Sequence, residues 1–323
     1  MRRVLSILLV AAGLSPGLYW REAQSGPEPA IAVGFERIAP YVSRSEALGR
    51  ADTPRLVGSW ALTSPIRDFG SYSALLALED GVLLALSDRG RFLRFDPRRR
   101  EGRDVAIGPV FSEPEDAKHM RDIEAATRDA ASGRIWAALE GRNALIRMDE
   151  DFSQLEWIEP REMRDWSVNG GPEAMVRLGD GRFIVLAESG GGALLYPGDP
   201  FEAGPPARFH FRAPSGFAPT DMAELPDGKV LVLLRGIRLG LPPGFVARLV
   251  IADPATIEAD RDWQLEEVST LATVPMDNYE GLAIVAGMNG ATLTLWLISD
   301  NNSAHLIQRT LLTRLEWDYP PRR

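Results

Sequence analysis

Acidic residues stand at nearly fixed distances on either side of five turn dipeptides: Asp80-Gly81, Ser132-Gly133, Asp180-Gly181, Asp227-Gly228 and Asn289-Gly290. Seven to ten residues before each glycine lie Ser73, Glu124, Glu173, Asp221 and Glu280. Seven residues past the first four come Asp88, Glu140, Glu188 and Arg235, and ten past the fifth comes Asp300. Carboxylates gathered in one place cannot all stay ionised without compensation. A hard divalent cation supplies it, and carboxylate and amide oxygens at about 2.3–2.6 Å are what calcium prefers. The expected ligands are Glu124, Glu173, Asp221 and Glu280, with Asp277 and Asn278 at the mouth of a shared channel. The second set is Asp88, Glu140, Glu188, Arg235 and Asp300, joined by Arg89. It is the expected reactive rim, with carboxylates to orient water and guanidiniums to hold an anionic ester. Taken singly, each position also reads as a polar residue that starts or ends a strand. Its recurrence from unit to unit is what points to one centre.

Hairpins must position these groups. A two-residue turn joins antiparallel strands, so both flanking positions fall at the same open end. At about 3.3 Å per residue that end lies roughly 23 Å from the turn. The turn glycines are 52, 48, 47 and 62 residues apart. A period near 50 with several strands per unit predicts an all-β fold, a single β-propeller whose blades are four-stranded antiparallel sheets. Five blades are expected, or six if residues 33–70 hold further strands. The last unit has only three strands, Gly281–Val285, Leu293–Ile298 and Leu311–Trp317, before the chain ends. Arg55–Ala61, ahead of blade one, is expected to supply the fourth and close the ring, removing a sheet edge. No stretch sustains a helical period beyond a turn or two.

Composition narrows the functional classes. The chain has 323 residues, no cysteine and a net charge of −9. Thiol nucleophiles, thiolate zinc sites and disulfides are excluded. A binder of phosphate backbones would show a basic face, so nucleic acid is not an expected partner. There is no G-x-S-x-G elbow, phosphate loop or H-E-x-x-H. The three histidines read as surface or loop residues, His305 alone falling close to the expected rim. Arg2 and Arg3 followed by the apolar run Val4–Leu14 read as an export signal. The run falls short of the roughly 20 residues of a membrane span. An uncleaved anchor extended through Trp20 is the alternative reading. The expected organisation is a signal or anchor over residues 1–20, a linker over 21–50 and the propeller over 51–319. The expected location is periplasmic or extracellular, and the expected state a monomer.

Several phrases taken together carry a resemblance. They are Leu84-Ala-Leu-Ser-Asp-Arg-Gly90, Asp122-Ile-Glu124, Trp136-Ala-Ala-Leu-Glu140, Pro172-Glu173-Ala174 and Thr220-Asp221 with Leu231–Arg235. The most specific are Asp277-Asn-Tyr-Glu-Gly281 and Ile298-Ser-Asp-Asn-Asn302. In this order, over residues 55 to 317, the sequence resembles the phytase-like family of exported bacterial proteins described by an "esterase-like activity of phytase". The resemblance implies a β-propeller whose acidic residues serve phosphoester hydrolysis. Tyr72-Ser73 departs from it, since a more glycine-rich start of blade one would match better.

Three functions follow as expectations. The first is a calcium-dependent hydrolase of a small anionic phosphate ester, with Glu140, Glu188 or Asp88 as base and Arg89 and Arg235 as clamps. The second is a lactonase or carboxylic esterase. The third is an exported, non-enzymatic propeller in which calcium only locks the ring, since one fold hosts many functions.

Overall fold

The computed structural model describes residues 33–39, 53–66, 68–99, 105–111, 122–239, 244–287, 292–301 and 309–319. The proposed signal, Asn302, His119, His305 and the Asn289-Gly290 turn lie outside the described residues. Among the described residues twenty-one strands form five antiparallel sheets in a ring, a five-bladed β-propeller. Blade one is β3 (Tyr72–Ala77), β4 (Leu83–Ser87), β5 (Arg91–Phe95) and β6 (Val105–Pro109). Blade two is β7 (Ile123–Arg128), β8 (Ile135–Leu139), β9 (Ala144–Met148) and β10 (Glu156–Ile158). Blade three is β11 (Pro172–Arg177), β12 (Phe183–Ala187), β13 (Gly192–Tyr196) and β14 (Ala207–His210). Blade four is β15 (Phe217–Glu224), β16 (Val230–Arg238), β17 (Gly244–Ala252) and β18 (Leu265–Thr270).

Blade five joins the two ends of the propeller. Its order runs β19 (Asn278–Ala286), β20 (Thr292–Asp300), β21 (Thr310–Asp318), β2 (Arg55–Thr63) and β1 (Gly34–Ile38). Arg55 pairs with Glu316 and Ala61 with Leu311, the closure expected from the missing fourth strand. Strand β1 adds a fifth, outer strand by pairing Gly34 with Thr63 and Ile38 with Ser59. The segment read as linker therefore contains a strand. The extra strands between residues 33 and 70 enlarge blade five and make no sixth blade.

The middle strands are buried on both faces, which is why they read as unbroken apolar runs. Leu83–Ser87, Ile135–Leu139 and Phe183–Ala187 are buried throughout. Their two faces feed apolar layers between neighbouring blades. Leu86 and Ile146 meet between blades one and two, Leu186 and Val232 between three and four, Leu233 and Leu295 between four and five. Filling each layer with branched aliphatic side chains stabilises the ring by roughly 1.5–3 kcal/mol per fully buried residue.

The turns differ in detail from the two-residue expectation. In blades three and four a type I turn is followed by a left-handed glycine, Gly181 (φ +93°) or Gly228 (φ +82°). The flanking pairs Leu178 with Arg182 and Leu225 with Lys229 leave three residues in each loop. The extra residue is accommodated because glycine adopts that conformation without a Cβ clash.

Candidate functional site

Each innermost strand carries one β-bulge, at the same height. The ladder skips a residue between Tyr72 and Ala74, Ile123 and Ala125, Pro172 and Ala174, Pro219 and Asp221, and Tyr279 and Gly281. The skipped residues are Ser73, Glu124, Glu173, Thr220 and Glu280. A bulge breaks strict alternation and re-aims a side chain. Here it does so five times around one axis. Glu173 and Glu280 are buried and Glu124 half-buried.

Just above lies a second ring, at the end of each second strand. The amides of Asp88, Glu140 and Glu188 donate to the carbonyls of Ser71, Asp122 and Gly171 at 3.0, 3.0 and 2.9 Å. Arg235 pairs with Ala218 and Asp300 with Asn278 in the matching places. Ser71 (φ +55°) and Asp122 (φ +76°) occupy the left-handed region without being glycine. Such strained backbone is held by its surroundings and concentrates at functional sites.

The two rings, read from the sequence as separate sets, form one acidic centre. Carboxylate oxygens of Asp122, Glu124 and Glu140 all lie within 4.8 Å of one another, and so do those of Glu140, Glu173 and Glu188. Glu140, expected on the reactive rim, is common to both groups. Asp122 reaches the first because its strained backbone sets it beside Glu124. The sequence left open which of the pair faces inward, and both reach the centre. Gly170 and Gly171 point their amides at Glu140. A Cβ on Gly171 would come within 2.3 Å of Asn143 Oδ1, so any larger residue here would have to displace the Asn143 side chain.

Charge in this centre is unfavourable in the absence of a cation. Burial pushes Glu140 up to about 7, with Asp122 and Glu188 adding to it and the two glycine amides opposing. Burial likewise raises Asp88 to about 7. Glu280 rises to about 8 through burial and then Asp300, against the pull of Arg235. Burial drives Glu124 and Glu173 well above the usual range, reinforced by Glu173 and Glu188 respectively. Burial also raises Asp122, against its hydrogen bond with Glu124.

Arg235 is the cation hydrogen-bonded inside this ring among the described residues. It donates to Glu188 Oε1 at 2.6 Å, to Asn278 Oδ1 at 3.1 Å and to Glu280. Asn278 donates in turn to Glu280 Oε1 at 2.7 Å. Burial works against the guanidinium charge, but Glu280, Glu173, Glu188 and Glu124 more than offset it and hold it protonated. Ser73 Oγ, at the bulge of blade one, is buried without a hydrogen-bond partner. The departure noted at Tyr72-Ser73 thus leaves a small hydroxyl where three other blades offer glutamate.

Three expected residues are placed elsewhere. Asp221 follows the bulge, where Thr220 sits, and its carboxylate accepts from the amides of Met222 at 2.8 Å and Leu282 at 2.6 Å. It ties blade four to blade five beneath the acidic centre. Aligning the repeats by their carboxylates set it one residue out of step. Arg89 turns to the outside, 3.1 Å from Asp68 and 3.9 Å from Asp88. Asp277 accepts from the amide of Asn278 at 2.9 Å, and burial raises it to about 6 against the pull of that amide and of Arg309. Neither Asp221 nor Asp277 joins the two carboxylate groups. Asp300 is buried beside Glu280. Asn301 accepts from the amide of Ser71 at 3.2 Å and so bridges blades five and one, a role that the sequence did not suggest.

Residues 67–303 match the family described as Phytase-like, "Esterase-like activity of phytase". The chain belongs to that family. The match spans every position of both rings. No curated protein matches the chain. Among solved structures the chain is similar to the Kuenenia stuttgartiensis hydrazine synthase, at 13% identity and a TM-score of 0.39, over 72% of this chain and 57% of that one. It is also similar to a luciferin-regenerating enzyme, at 11% identity and a TM-score of 0.46, over 86% and 95% of the two chains. A PQQ-bound aldose sugar dehydrogenase from Streptomyces coelicolor matches at 14% identity and a TM-score of 0.45, over 90% and 100%. At this identity the likeness concerns the fold alone. Among the described residues no helix is long and apolar enough to cross a membrane.

Proposed function

We propose that this phytase-like protein is an exported, calcium-dependent hydrolase of small anionic phosphate esters. The observation that carries the reading is Glu140, common to two carboxylate groups that stand beside the half-buried Arg235 guanidinium. The donor set fits the ion. It is all oxygen, it comes from blades two and three, and burial drives Asp122, Glu124, Glu140 and Glu173 toward protonation when no cation balances them. Asp122, Glu124, Glu140, Glu173 and Glu188 would hold calcium. A divalent cation bound there neutralises phosphate charge and polarises the phosphoryl oxygen.

The remaining residues have separate tasks. Arg235 faces the same space and offers its planar guanidinium to a phosphate oxygen, exchanging part of its bond to Glu188 for one to substrate. Asp88 lies outside both carboxylate groups, on the neighbouring blade. With its pKa brought to about 7, it suits a base that takes a proton from the attacking water and returns it to the leaving oxygen. Asn278 holds Arg235 and Glu280 in register. Export rests on Arg2, Arg3 and the apolar run that follows.

Hydrolysis of p-nitrophenyl phosphate, bis-p-nitrophenyl phosphate and a lactone, each with calcium or with chelator, tests the reading. Calcium-dependent release from a phosphate ester is expected. Turnover of the lactone alone would replace it with an esterase, and no turnover together with calcium-raised stability would leave a structural metal.

A further inference from the structure

We propose that blade four carries a specificity arm: beyond Arg235 its second strand continues past the rim with the exposed Ile237, followed just after the strand by Leu239, and this arm takes the apolar part of an amphiphilic phosphate ester. The inference deepens the hydrolase reading and rests on it for the chemistry, but not for binding.

The arm is a length difference between blades. Strands β4, β8 and β12 stop at Ser87, Leu139 and Ala187, level with the acidic rim. Strand β16 runs on to Arg238, and its ladder with β17 continues through Ile237 with Phe245 to Arg238 with Gly244. Backbone pairing therefore fixes the extension. Side chains two apart on a strand share a face, so Arg235 and Ile237 lie on one stripe about 6.6 Å apart, and Leu239 follows directly after the strand ends at Arg238. The lower members of the stripe, Leu231 and Leu233, pack toward blade five. Phe245 stands directly across from Ile237 and widens the apolar face. Met276 of blade five lies beside Gly244, its sulfur 3.6 Å from where a Cβ would sit.

Exposure of this face is unusual for the molecule. Ile237 is 55% and Leu239 90% exposed, two of only four large hydrophobic residues so exposed among those described. Along the chain they are the second and fourth residues after Arg235, whose guanidinium would receive the phosphate. A ligand whose anionic head reaches Arg235 must lay whatever is attached to that head along Ile237 and Leu239. Charge limits the head. Arg235 is already bonded to Glu188 and Glu280, so its one guanidinium can receive one phosphate. One phosphate on an alkyl or aryl alcohol satisfies both ends of the arm; a polyphosphorylated polyol leaves its apolar end unmatched.

The test uses the full chain in calcium, titrated calorimetrically with methyl, butyl and octyl phosphate below micelle formation. Affinity is expected to rise about tenfold or more from methyl to octyl, since burying even two methylenes is worth that much. In Ile237→Thr/Leu239→Thr, which keeps strand propensity, the octyl-to-methyl ratio is expected to fall to near one. The same ratio is read in turnover of p-nitrophenyl alkyl phosphodiesters. A chain-length ratio in binding with no turnover of any ester keeps the arm and removes the hydrolase reading. Turnover without a ratio keeps the hydrolase and overturns the arm. Sedimentation with phosphatidylcholine vesicles that depends on these two residues, without a ratio for soluble esters, overturns it in favour of a membrane surface.

Discussion

Arg235 Nη2 stands 2.6 Å from Glu188 Oε1, and the guanidinium also donates to Glu280, so one side chain of blade four holds blades three and five together. It also links the proposed cation site to the proposed anion site, since Glu188 belongs to a carboxylate group and Arg235 does not.

Arg235→Gln should therefore act in two opposite directions. Removing the cation from this half-buried ion pair leaves uncompensated charge among the carboxylates and costs stability. Without calcium, the melting temperature should fall. The vacated field is more negative, so the rise in melting temperature on adding calcium should exceed that of the parent protein. A calcium shift smaller than the parent's would show that Arg235 supports the cation instead of competing with it.

The raised carboxylates give stability a defined pH dependence. Asp88 and Glu140 near 7 and Glu280 near 8 retain protons in the folded state that the unfolded chain has released. Folded protein thus binds more protons than unfolded between about pH 4 and 8, and stability falls as pH rises through that window. Their contribution is fully present below about pH 4 and is gone above the folded values. In chelator, melting temperature should decline from pH 5.5 to 8.5. Calcium should flatten or reverse the slope, because cations displace those protons. A rising slope in chelator would contradict the proton count.

Much of this architecture was legible because a propeller repeats its sequence. The turn glycines marked the hairpins, and the unpaired Arg55–Ala61 named its partner by elimination. What the sequence hid is local. Strand β1 is only five residues long and exposes Glu36 and Arg37 on its two opposite faces, and its flanks look like linker. A β-bulge changes which of two adjacent residues faces the axis, and no periodicity signals it. Thr220 therefore took the place assigned to Asp221. Separating a metal set from a rim set failed for a related reason: bulge residues and rim residues lie one layer apart, well within the reach of a glutamate side chain.

Asp221 should behave as a structural residue. Asp221→Asn puts an amide donor where the carboxylate accepts from Leu282 and Met222, leaving a buried N–H without an acceptor at a cost of about 1–3 kcal/mol. Thermal unfolding should show that loss equally with and without calcium. If the calcium shift disappears in this variant, Asp221 is a ligand after all.

Ring closure should show in truncations. Removing residues 1–52 deletes β1 and leaves β2 paired with β21, so cooperative unfolding should persist at reduced stability. Removing residues 1–63 deletes β2 as well and uncovers the edge of β21, which invites aggregation. Equal stability of the two truncations, by circular dichroism, would refute closure through β2.

Asp88 and Glu140 separate the reactive group from the cation site. Glu140 belongs to both carboxylate groups, so Glu140→Gln should largely abolish the calcium-induced rise in melting temperature, which reports ligand binding to the folded state alone. Asp122→Asn and Glu188→Gln each touch one group and should lose part of it. Asp88 lies outside both, so Asp88→Asn should keep most of the calcium shift while turnover falls about 100-fold or more, the usual contribution of a positioned base. The pH–rate profile of the parent protein should then carry an ascending limb near pH 7 that is absent from the residual activity of Asp88→Asn. Loss of the calcium shift in Asp88→Asn would place Asp88 among the ligands, and full turnover in that variant would assign the proton to another carboxylate of the ring.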